Sequence, residues 1–593
     1  MKFLLVGINA KYIHSNPAIY SLRACVEEKD RNSVELAEYT INNRTEEILS
    51  DIFKRKPDVI GFSCYIWNFH IVRELLWDLV KVLPKTDIWM GGPEVSFDCD
   101  RLMKELPMIK GIMVGEGEDT FRELVSCYVN TFSGNQSPAD SDLQTMLAKI
   151  QGLYLPFGYT GERKLTDLDR LPFYYDSLED FENRIIYYES SRGCPFRCAY
   201  CLSSIDKRVR FRDQEKVKQE LQLFLDKKVS QVKFVDRTFN CNHDHAMKIW
   251  RYIKENDNNV TNFHFEIAAD LLTREQIQLL SEMRPGLVQL EIGVQSTNEE
   301  TLRAINRPAD TIRITDAVAM LQKAKNIHIH LDLIAGLPFE DYDSFVNSFN
   351  QVYAMKPHQL QLGFLKVLKG SPMSEKGEEF GIAHTAMPPY EVLYTNWLSY
   401  EDILKLKQVE EMVELYYNSN QFLHTLTVLE QEFEDAFSMF SKLADYYERK
   451  GYFVVTPARA HRYQVLLKFI REMFPDKSEL YRELLTFDYY LRENPKSRPT
   501  FMTDVSCYYD YIWRFYQREE VAPHYLQNYQ GYHAKQLMKM THMEPFFYPV
   551  WEELPEHTVI RQEQPVFILF DYDKRDALTG NVIAIGPINH VMP

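Results

Sequence analysis

The stretch Ser190–Cys201 reads SSRGCPFRCAYC and carries three of the chain's nine cysteines. Their spacing is C-x3-C-x2-C, with Gly193 before the first thiol and Tyr200 before the last. Gly193 and Pro195 are residue types typical of a tight turn. Because thiolates are metal ligands, so dense a set in one loop predicts a metal or cluster site.

The missing fourth cysteine is informative about the kind of site. Structural zinc takes four ligands, usually as two C-x2-C pairs. The chain has no second pair, and the nearest further cysteine, Cys241, stands alone after a predicted strand. A four-iron cluster held by only three cysteines would leave one iron open to a reactant. The motif therefore favours a reactive cluster over a structural zinc ion.

Composition limits the class of protein. The 593 residues predict two to four domains, and the net charge of −17 disfavours nucleic-acid binding, which needs clustered Lys and Arg. There is no apolar run of membrane-spanning length, and the opening MKFLLVGINA predicts a buried strand rather than a signal peptide. Nine thinly spread cysteines indicate reduced thiols and a cytoplasmic location rather than a disulfide framework.

Residues 1–150 alternate apolar strands with amphipathic helices, which predicts a Rossmann-like (flavodoxin-like) parallel sheet. Ligands of such sheets bind beyond the carboxyl ends of the strands, where the loops here read INAKYIHSN, SCYIWN, GGPEVSFD and GEGEDT. The predicted strands are Lys2–Gly7, Asp58–Ser63, Asp87–Met90 and Lys110–Val114. The stretch Ser133–Ser141 predicts an exposed connector, and residues 151–184 are assigned to a linker.

Residues 185–378 contain six further strands separated by helices, which predicts a partial α/β (TIM-like) barrel. The predicted strands are IIYYESS, Gln231–Asp236, Phe263–Asp270, Leu287–Ser296, Ile329–Pro338 and Leu360–Leu368. Residues 379–593 predict a mainly α-helical domain rich in Tyr and Phe. Its predicted elements include the helices Val428–Lys450, Arg459–Phe474 and Glu479–Glu493 and the strand Pro565–Asp573.

At the end of the first barrel strand, the cysteine motif resembles that of the radical SAM superfamily. The barrel resembles the branch that includes methylthiotransferases and cobalamin-dependent enzymes, through FVDRTF (Phe234–Phe239), EIGVQS (Glu291–Ser296) and DLIAGLPFED (Asp332–Asp341). The resemblance implies that Cys194, Cys198 and Cys201 bind a [4Fe–4S] cluster whose open iron chelates S-adenosyl-L-methionine (SAM). An electron from the cluster would cleave SAM to a 5'-deoxyadenosyl radical.

The same resemblance implies the SAM contacts. Tyr200 would offer its backbone to the adenine, which Ile334–Gly336 would line, and Arg307 would hold the SAM carboxylate or cap its helix. Other strand-end residues would contact the ribose and methionine moieties, although Glu266 and Glu291 are equally consistent with an ion pair at a strand end. The implied residues are Tyr200, Glu266, Gln295, Ser296, Arg307, Ile334 and Gly336.

The first region resembles the cobalamin (B12)-binding domain that precedes many radical SAM barrels, through domain order and through GGPEVS and VGEGEDTFREL. The D-x-H-x-x-G signature of a lower cobalt ligand is absent; His14 would take this role or be an ordinary loop histidine. The implied cobalamin contacts are His14, Ser63, Tyr65, Gly91, Gly92, Pro93, Glu94, Gly115, Glu116 and Gly117. A flavin, a nucleotide or no ligand is the alternative for such a domain.

As a whole, the sequence is similar to a bacterial group of cobalamin-binding radical SAM proteins with a family-specific C-terminal domain. The predicted function is that of a B12-dependent methyltransferase acting on an unactivated carbon, served by a flavodoxin- or ferredoxin-type electron donor. The alternatives are rearrangement or cyclisation without methyl transfer, a tRNA methylthiotransferase-like activity, and a non-enzymatic metal sensor. The substrate, the oligomeric state and any catalytic side chain stay open.

Overall fold

The N-terminal sheet of this computed structural model begins at Phe3. The structure describes residues 1–132, 140–175, 177–206, 208–552 and 560–588, so most of the predicted connector, positions 133–139, lies outside them. The strands are β1 (Phe3–Asn9), β2 (Val34–Thr40), β3 (Val59–Ser63), β4 (Asp87–Gly91), β5 (Ile109–Met113), β6 (Leu153–Leu155) and β7 (Gly158–Tyr159). The helices are α1 (Pro17–Cys25), α2 (Glu28–Arg31), α3 (Thr45–Arg55), α4 (Phe69–Val82), α5 (Cys99–Glu105), α6 (Glu118–Phe132) and α7 (Asp140–Leu147).

The seven strands form one sheet in the order β2–β1–β3–β4–β5–β6–β7. Strands β1 to β5 pair in parallel, and β1 and β3 are buried along their whole length. Alternate residues of β1 enter two different core clusters, Leu4 in one and Leu5 in the other. A parallel strand covered on both faces reads as a continuous apolar run, which is why FLLVGIN was recognisable in the sequence.

Two parts of this sheet were not predicted. Strand β2 was missed because VELAEYT is only partly buried and alternates in polarity, as edge strands do. Strands β6 and β7 lie in the segment assigned to a linker. Strand β6 pairs antiparallel with β5, and β7 pairs antiparallel with β6, so the sheet extends to Tyr159. Short edge strands of this kind carry little periodicity to detect.

The central region supplies the predicted barrel strands and a short hairpin. Its strands are β8 (Ile186–Tyr188), β9 (Ser191–Arg192), β10 (Arg210–Phe211), β11 (Gln231–Phe234), β12 (Asn262–Ile267), β13 (Val288–Gln295), β14 (His328–Ala335) and β15 (Gln359–Phe364). Its helices are α8 (Gln214–Asp226), α9 (His243–Glu255), α10 (Arg274–Ser281), α11 (Glu299–Ala304), α12 (Thr311–Gln322) and α13 (Tyr342–Ala354). Six strands form one sheet in the order β15–β14–β13–β12–β11–β8. The pairs β8–β11, β11–β12 and β12–β13 are parallel, as the barrel prediction requires.

Local sequence explains where the barrel helices begin. A side chain at the N-cap accepts a hydrogen bond from the first turn of α8 to α12, and at α10 Thr273 and Gln276 form a complete capping box. Such caps satisfy backbone N–H groups that the helix itself leaves unbonded. The five N-cap residues are Asp213, Asn242, Thr273, Asn298 and Asp310.

The chain divides into two compact units. The first comprises Met1–Ile327, Ile334–Asp341 and Gly363–Ser399, and all six strands of the second sheet contribute residues to it. The second comprises His328–Leu333, Tyr342–Leu362 and Tyr400–Pro593. The first unit also contains α14 (Pro372–Lys376), β16 (Ala383–His384) and β17 (Val392–Tyr394).

The second unit is largely helical, as predicted. Its further helices are α15 (Tyr400–Met412), α16 (Leu423–Leu429), α17 (Ala436–Lys450), α18 (Arg459–Met473), α19 (Ser478–Arg492), α20 (Tyr509–Val521) and α21 (Ala534–Met540). Its strands β18 (Thr541–Phe546), β19 (Val566–Arg575) and β20 (Val582–Ile588) form an antiparallel sheet, of which only β19 was predicted.

The single helix predicted over Val428–Lys450 was wrong. Helix α16 ends at Leu429, and α17 begins after Asp435, whose side chain accepts a hydrogen bond from the Ser438 N–H. The acidic run between the two helices therefore ends one helix and caps the next. Among the residues that the structure describes, no helix has the length and apolar character to cross a membrane.

Candidate functional site

The three clustered cysteines lie in a loop that starts from a β-hairpin. Strands β9 and β10 pair antiparallel, with Arg192 opposite Arg210, and the segment Gly193–Cys201, here named the cluster loop, follows β9 directly. Gly193 has a φ of +100°, and a Cβ there would lie 2.2 Å from the carbonyl oxygen of Arg208. Only glycine fits both the left-handed backbone and this close approach.

Backbone hydrogen bonds hold the cluster loop from both sides. The Ala199 N–H donates to the Ile305 carbonyl at 2.8 Å, and the Met373 N–H donates to the Ala199 carbonyl at 2.9 Å. Inside the loop, the Cys201 N–H donates to the Cys198 carbonyl. Burial raises the pKa of the Cys194 thiol, whose sulfur lies 3.5 Å from the Thr238 hydroxyl. The backbone thus fixes three thiols in one short loop.

A buried polar network fixes the two residues before the hairpin. The Asp236 carboxylate accepts hydrogen bonds from the Ser190 N–H at 3.0 Å, the Ser190 hydroxyl at 2.7 Å and the Ser191 hydroxyl at 2.5 Å. The Ser190 hydroxyl also lies 2.9 Å from Nε2 of His245. Burial raises the pKa of Asp236 to about 6, although these hydrogen bonds lower it. The end of β11 therefore anchors the start of the cysteine motif.

Arg307 connects the cluster loop to β13. Its guanidinium donates to the Gly293 carbonyl, lies 3.3 Å from the Tyr200 hydroxyl and lies 3.6 Å from Sγ of Cys198. A Cβ on Gly293 would lie 2.1 Å from Nε2 of Gln295 and 3.3 Å from Arg307. Gln295 itself sits at a φ of +72°, an uncommon conformation for a residue with a side chain.

Two of these residues carry a buried polar atom that makes no hydrogen bond. Gln295 Oε1 and Arg307 Nε are buried without a hydrogen-bond partner. A narrow pocket is lined by Phe196 of the cluster loop, by Asp270 after β12, and by Gly293 and Arg307. Because a buried polar atom without a partner is unfavourable, these atoms indicate a polar ligand.

This donor set fits an iron–sulfur cluster with an open iron. Three thiols in one loop are the ligands such a cluster takes, and the Arg307 guanidinium beside Cys198 would hydrogen-bond to a ligating sulfur. The Gln295 amide oxygen and the Arg307 nitrogen would then meet polar groups of a molecule bound next to the cluster.

The other residues implied for SAM lie at different levels of the sheet. Ser296 donates to the buried carboxylate of Glu340 at 2.7 Å and accepts from the Asn298 N–H, so its hydroxyl holds the loop after β13. Gly336 follows β14 and faces the Val392 side chain, while Ile334 is a partly buried residue of β14 itself. The structure brings Tyr200, Gln295 and Arg307 around the cluster loop but gives Ser296 a structural partner.

Glu266 lies lower in the sheet, on the face that carries an ion-pair cluster. It is in register with Glu291 on β13. The Glu291 carboxylate contacts Nζ of Lys233 at 2.9 Å and Nε2 of His264 at 2.8 Å. Burial raises the pKa of Glu291, but these partners bring it well below its usual range. For Glu291, this is the ion-pair alternative that the sequence left open.

The carboxyl edge of the first sheet carries glycines and aromatic rings. The Cys64 N–H donates to the Gly91 carbonyl at 2.8 Å, which brings the GGPE loop against the loop after β3. Tyr65 stacks on Trp67 with ring centroids 4.4 Å apart and nearly parallel planes. Trp67 donates from Nε1 to the Ile8 carbonyl, yet remains 39% exposed. Ser63, Tyr65, Gly91 and Gly92 thus meet at one edge.

Glu94 is a structural residue in this structure. It is 2% exposed and accepts hydrogen bonds from the Tyr390 hydroxyl and, at 2.8 Å, from Nζ of Lys369. Pro93, one residue earlier, is exposed. A cavity beside Lys369 is also lined by Arg73 and Arg101. All three cations have carboxylate partners, so the cavity is not an uncompensated cationic site.

His14 is held against the barrel. Its Nδ1 lies 2.7 Å from the Tyr187 hydroxyl, and its carbonyl accepts from the Arg184 guanidinium. Burial lowers the pKa of His14, and the charges of Lys11, Lys233 and Arg184 lower it further, which favours the neutral imidazole. Exposed apolar side chains neighbour it in sequence, Tyr12 at 74% and Ile13 at 43%.

Glu116 binds the two arginines of the hairpin rather than facing solvent. It accepts from Arg210 and from the Thr166 N–H and lies 3.3 Å from Nη1 of Arg192. Burial alone would raise the pKa of Glu116; the guanidinium groups lower it to about 2. Of its neighbours, Gly115 is exposed and Gly117 is partly buried.

Sequence reasoning missed four residues of this site: Arg192, Arg210, Trp67 and Glu340. Arg192 stands inside the quoted motif and Trp67 inside the quoted strand-end loop, so position alone could have drawn attention to both. No sequence signal pairs Arg210 with Glu116, because 94 positions separate them.

Three regions of the chain match models of known protein families. Residues 4–125 match a family model described as B12 binding domain, residues 188–352 match Radical SAM superfamily, and residues 378–570 match Protein of unknown function (DUF4080). The predicted order of a B12-binding region, a radical SAM barrel and a family-specific C-terminal region is confirmed.

Two curated relatives are methyltransferases by name. The cobalamin-dependent radical SAM methyltransferase TokK of Streptomyces tokunonensis is 23% identical over 356 residues, which cover 55% of this chain and 50% of that protein. The uncharacterized methyltransferase PH0819 of Pyrococcus horikoshii is 23% identical over 378 residues, which cover 61% of this chain and 77% of that protein. The chain thus spans only half the length of TokK.

Two solved structures share the fold. The radical S-adenosylmethionine methyltransferase TsrM of Kitasatospora setae, with cobalamin and a [4Fe–4S] cluster bound, has a TM-score of 0.52 and 17% identity; the match covers 65% of this chain and 76% of TsrM. The cobalamin-dependent S-adenosylmethionine radical enzyme OxsB, with aqua-cobalamin and S-adenosylmethionine bound, has a TM-score of 0.53 and 14% identity; the match covers 82% of this chain and 78% of OxsB.

The two matching domains confirm SAM and cobalamin as the predicted cofactors at the level of the family, and the fold class is confirmed with them. The chain thus contains a region that matches the B12-binding domain, a region that matches the radical SAM superfamily and a C-terminal region that matches DUF4080.

Proposed function

We propose that the protein is a cobalamin-dependent radical SAM methyltransferase that modifies an unactivated carbon. The observation that carries the proposal is the three-thiol cluster loop with Arg307 against Cys198 and an unpartnered Gln295 oxygen beside it. The methyltransferase names of TokK, TsrM and PH0819 support the same reaction class. We also propose the functional regions 1–150 for cobalamin, 185–378 for the barrel and 379–593 for the C-terminal region.

When bound, the cluster supplies the electron for SAM cleavage and cobalamin supplies the methyl group. Cys194, Cys198 and Cys201 would hold the cluster. The geometry of Gly193 and the two backbone bonds of Ala199 would keep the thiols in place when the cluster changes charge.

Gln295 and Arg307 would orient SAM. The Arg307 guanidinium is fixed by the Gly293 carbonyl and the Tyr200 hydroxyl, which leaves its Nε for a carboxylate. The Gln295 oxygen would accept a hydrogen bond from an amino or hydroxyl group. The backbone of Tyr200 and residues Ile334 and Gly336 would line the adenine. Ser296 is a weaker candidate for a SAM contact, because its hydroxyl already donates to Glu340. Glu266 is a weaker candidate too, because it lies lower in the sheet, in register with Glu291.

The carboxyl edge of the first sheet would hold cobalamin. Exposed Tyr12, Ile13 and Trp67 would cover the apolar face of a corrin ring, and the backbone of Gly91–Gly92 and Gly115 would approach the cofactor closely. Ser63 and Tyr65 would border this surface, with Pro93 and Gly117 at its margin. Glu94 and Glu116 would act through their ion pairs, not by touching the cofactor.

His14 would be the side chain that binds the cobalt of this cofactor. The neutral ring and the hydrogen bond at Nδ1 fit this role, because a second partner fixes the tautomer of a metal-bound histidine. All nine cysteines carry free thiols, which supports a reducing compartment such as the cytoplasm. A flavodoxin- or ferredoxin-type protein would supply the electron that SAM cleavage consumes.

The test requires no knowledge of the substrate. Protein reconstituted anaerobically with iron, sulfide and hydroxocobalamin is reduced and supplied with SAM carrying a deuterated methyl group. Formation of deuterated methylcobalamin and S-adenosylhomocysteine, together with 5'-deoxyadenosine, is the expected result. A Cys194→Ala, Cys198→Ala, Cys201→Ala triple variant should lose 5'-deoxyadenosine.

Two of the alternatives, rearrangement or cyclisation and a non-enzymatic sensor, give different product patterns. 5'-Deoxyadenosine without methylcobalamin would overturn methyl transfer and favour rearrangement or cyclisation. Intact SAM in protein with a full cluster would overturn the radical enzyme altogether.

A further inference from the structure

The hairpin at the base of the cluster loop has two arginines facing each other. Arg192 and Arg210 are register partners in the antiparallel pair β9–β10. Like charges directly opposite each other destabilise a strand pair. A negative charge between the two guanidinium groups would offset this repulsion and favour the closed hairpin.

Glu116 supplies that charge from the B12-binding region. One carboxylate oxygen accepts from Arg210 and lies 3.3 Å from Arg192; the other lies 3.2 Å from Nη1 of Arg210. Both arginine side chains are only about one-fifth exposed, 22% and 20%, so solvent screens the repulsion poorly. Glu116 lies in the loop Gly115–Gly117 after β5, far in sequence from the hairpin.

Further carboxylates complete the arrangement on both sides. Arg192 contacts Glu118 and Glu189 at 2.8 Å each, and Arg210 contacts Asp206 at 3.1 Å. Glu189 and Asp206 belong to the same chain segment as the arginines, whereas Glu116 and Glu118 come from the B12-binding region. Of these four, Glu116 alone contacts both arginines.

We infer that Glu116 is a positioning residue through which the B12-binding region closes the base of the cluster loop. The inference rests on the proposed function in that this loop holds the cluster. It assigns Glu116 a role different from cofactor contact: its charge sets the position of the cysteines relative to the loop that borders the cobalamin surface. Replacing the charge should open the hairpin and loosen Gly193–Cys201 without removing a cluster ligand.

The first experiment is hydrogen exchange on the iron–sulfur-reconstituted protein, without cobalamin. In Glu116→Gln, amides of the cluster loop should exchange about tenfold faster than in the wild type, while β12 and β13 stay unchanged. The matched control is Glu38→Gln. Glu38 also joins the first sheet region to the segment before the barrel through an arginine, Arg184, at 3.0 and 3.1 Å, but it bridges no opposed pair.

A double variant separates charge from packing. Glu116→Gln with Arg210→Gln removes one of the opposed cations, so loop protection should return towards the wild-type value. If Glu116 merely fills space, the second substitution adds a further loss instead. Glu116→Asp, which keeps the charge, should fall between the wild type and Glu116→Gln and serves if the glutamine variant does not fold.

The second experiment measures the distance between the unpaired spins of reduced cluster and cob(II)alamin by pulsed electron paramagnetic resonance. The wild type should give one narrow distance distribution, and Glu116→Gln a broader one with unchanged iron and cobalt content. A wild type that takes up no cobalamin would refute the proposed function while hydrogen exchange still tests Glu116. Equal exchange and equal distance distributions in wild type and Glu116→Gln would overturn the inference alone.

Discussion

The buried polar groups at the carboxyl end of β13 differ from two buried carboxylates of the second unit in how far their hydrogen bonds are satisfied. At the carboxyl end of β13, Gln295 Oε1 and Arg307 Nε are buried and have no partner. In the second unit, Asp488 accepts from the His424 and Thr425 N–H groups, and Glu519 accepts from three consecutive N–H groups. The carboxylates of Asp488 and Glu519 are satisfied by backbone donors and stabilise the fold, whereas the Gln295 amide oxygen can still accept a hydrogen bond from a ligand.

The largest effect is expected from removing a thiol of the cluster loop. Cys198→Ala should lower cluster iron and reduce SAM cleavage by at least about 1,000-fold, because the remaining two thiols cannot hold a four-iron cluster. Iron analysis and 5'-deoxyadenosine formation measure this. Cys241→Ala is the control, since this thiol lies after β11 and outside the loop. Iron loss in Cys241→Ala would show that the three-cysteine assignment is incomplete.

Strain in the cluster loop should have the next largest effect. Gly193→Ala should lower the stability of the hairpin by about 1–3 kcal/mol through its left-handed backbone, and by more through the clash with Arg208. Gly161→Ala is a matched control, because Gly161 has a similar φ of +104° but no neighbour within 4 Å of its Cβ position. Urea unfolding and cluster content are the measurements. Equal losses in both variants would refute the close approach at Gly193.

The unpartnered amide should matter for SAM and not for the fold. Gln295→Leu should weaken SAM binding by about 10- to 100-fold, since the ligand loses a hydrogen bond in a buried site. Gln289→Leu is the matched control, because Gln289 lies on the same face of β13 but at the opposite end of the strand. It should leave SAM binding unchanged. Equilibrium binding of SAM to the reconstituted protein, together with thermal unfolding, distinguishes the two. Unchanged SAM affinity in Gln295→Leu would mean that the unpartnered Gln295 oxygen does not mark a ligand site.

The smallest effect is expected at Glu483 in the second unit. Burial raises its pKa to about 7, although the Phe547 and Tyr548 N–H groups donate to it. With a folded-state pKa above the unfolded value, the folded state binds more protons between about pH 4.5 and 7, so stability falls as pH rises through this window. Above about pH 7, this contribution to stability is constant.

The comparison with Glu483→Gln tests this sign. The variant cannot titrate and retains an acceptor for the two N–H groups. Hydrogen exchange of α19 and β18 between pH 5 and 8, corrected for the intrinsic rate, should show the wild type losing protection relative to the variant. Parallel profiles would mean that the carboxylate is as ionised in the folded state as in the unfolded chain.

The sequence predicted those elements whose burial is uniform. Continuous apolar runs such as β1 and alternating runs such as β13 were located within two residues. Partly buried β2, the two-residue strand β7 and the break before α17 were missed, because each depends on an edge, a turn or a cap that periodicity does not record.

The candidate site likewise has features that the sequence could predict and contacts that it could not. The spacing of Cys194, Cys198 and Cys201 is local, so the sequence alone could predict a reactive cluster site there. Glu94 and Glu116 illustrate the opposite case: their glycine-rich loops were found, but their partners were not. An ion pair between segments that are far apart in the sequence produces no recognisable pattern in either segment.

The sequence by itself determined the order of two α/β regions, the thiol set and the family resemblance, because these reside in short-range patterns of residue type. Only the tertiary structure decided that Arg192 faces Arg210 and that a carboxylate from another region lies between them. The physical reason is that charges act through space, and folding sets their distances.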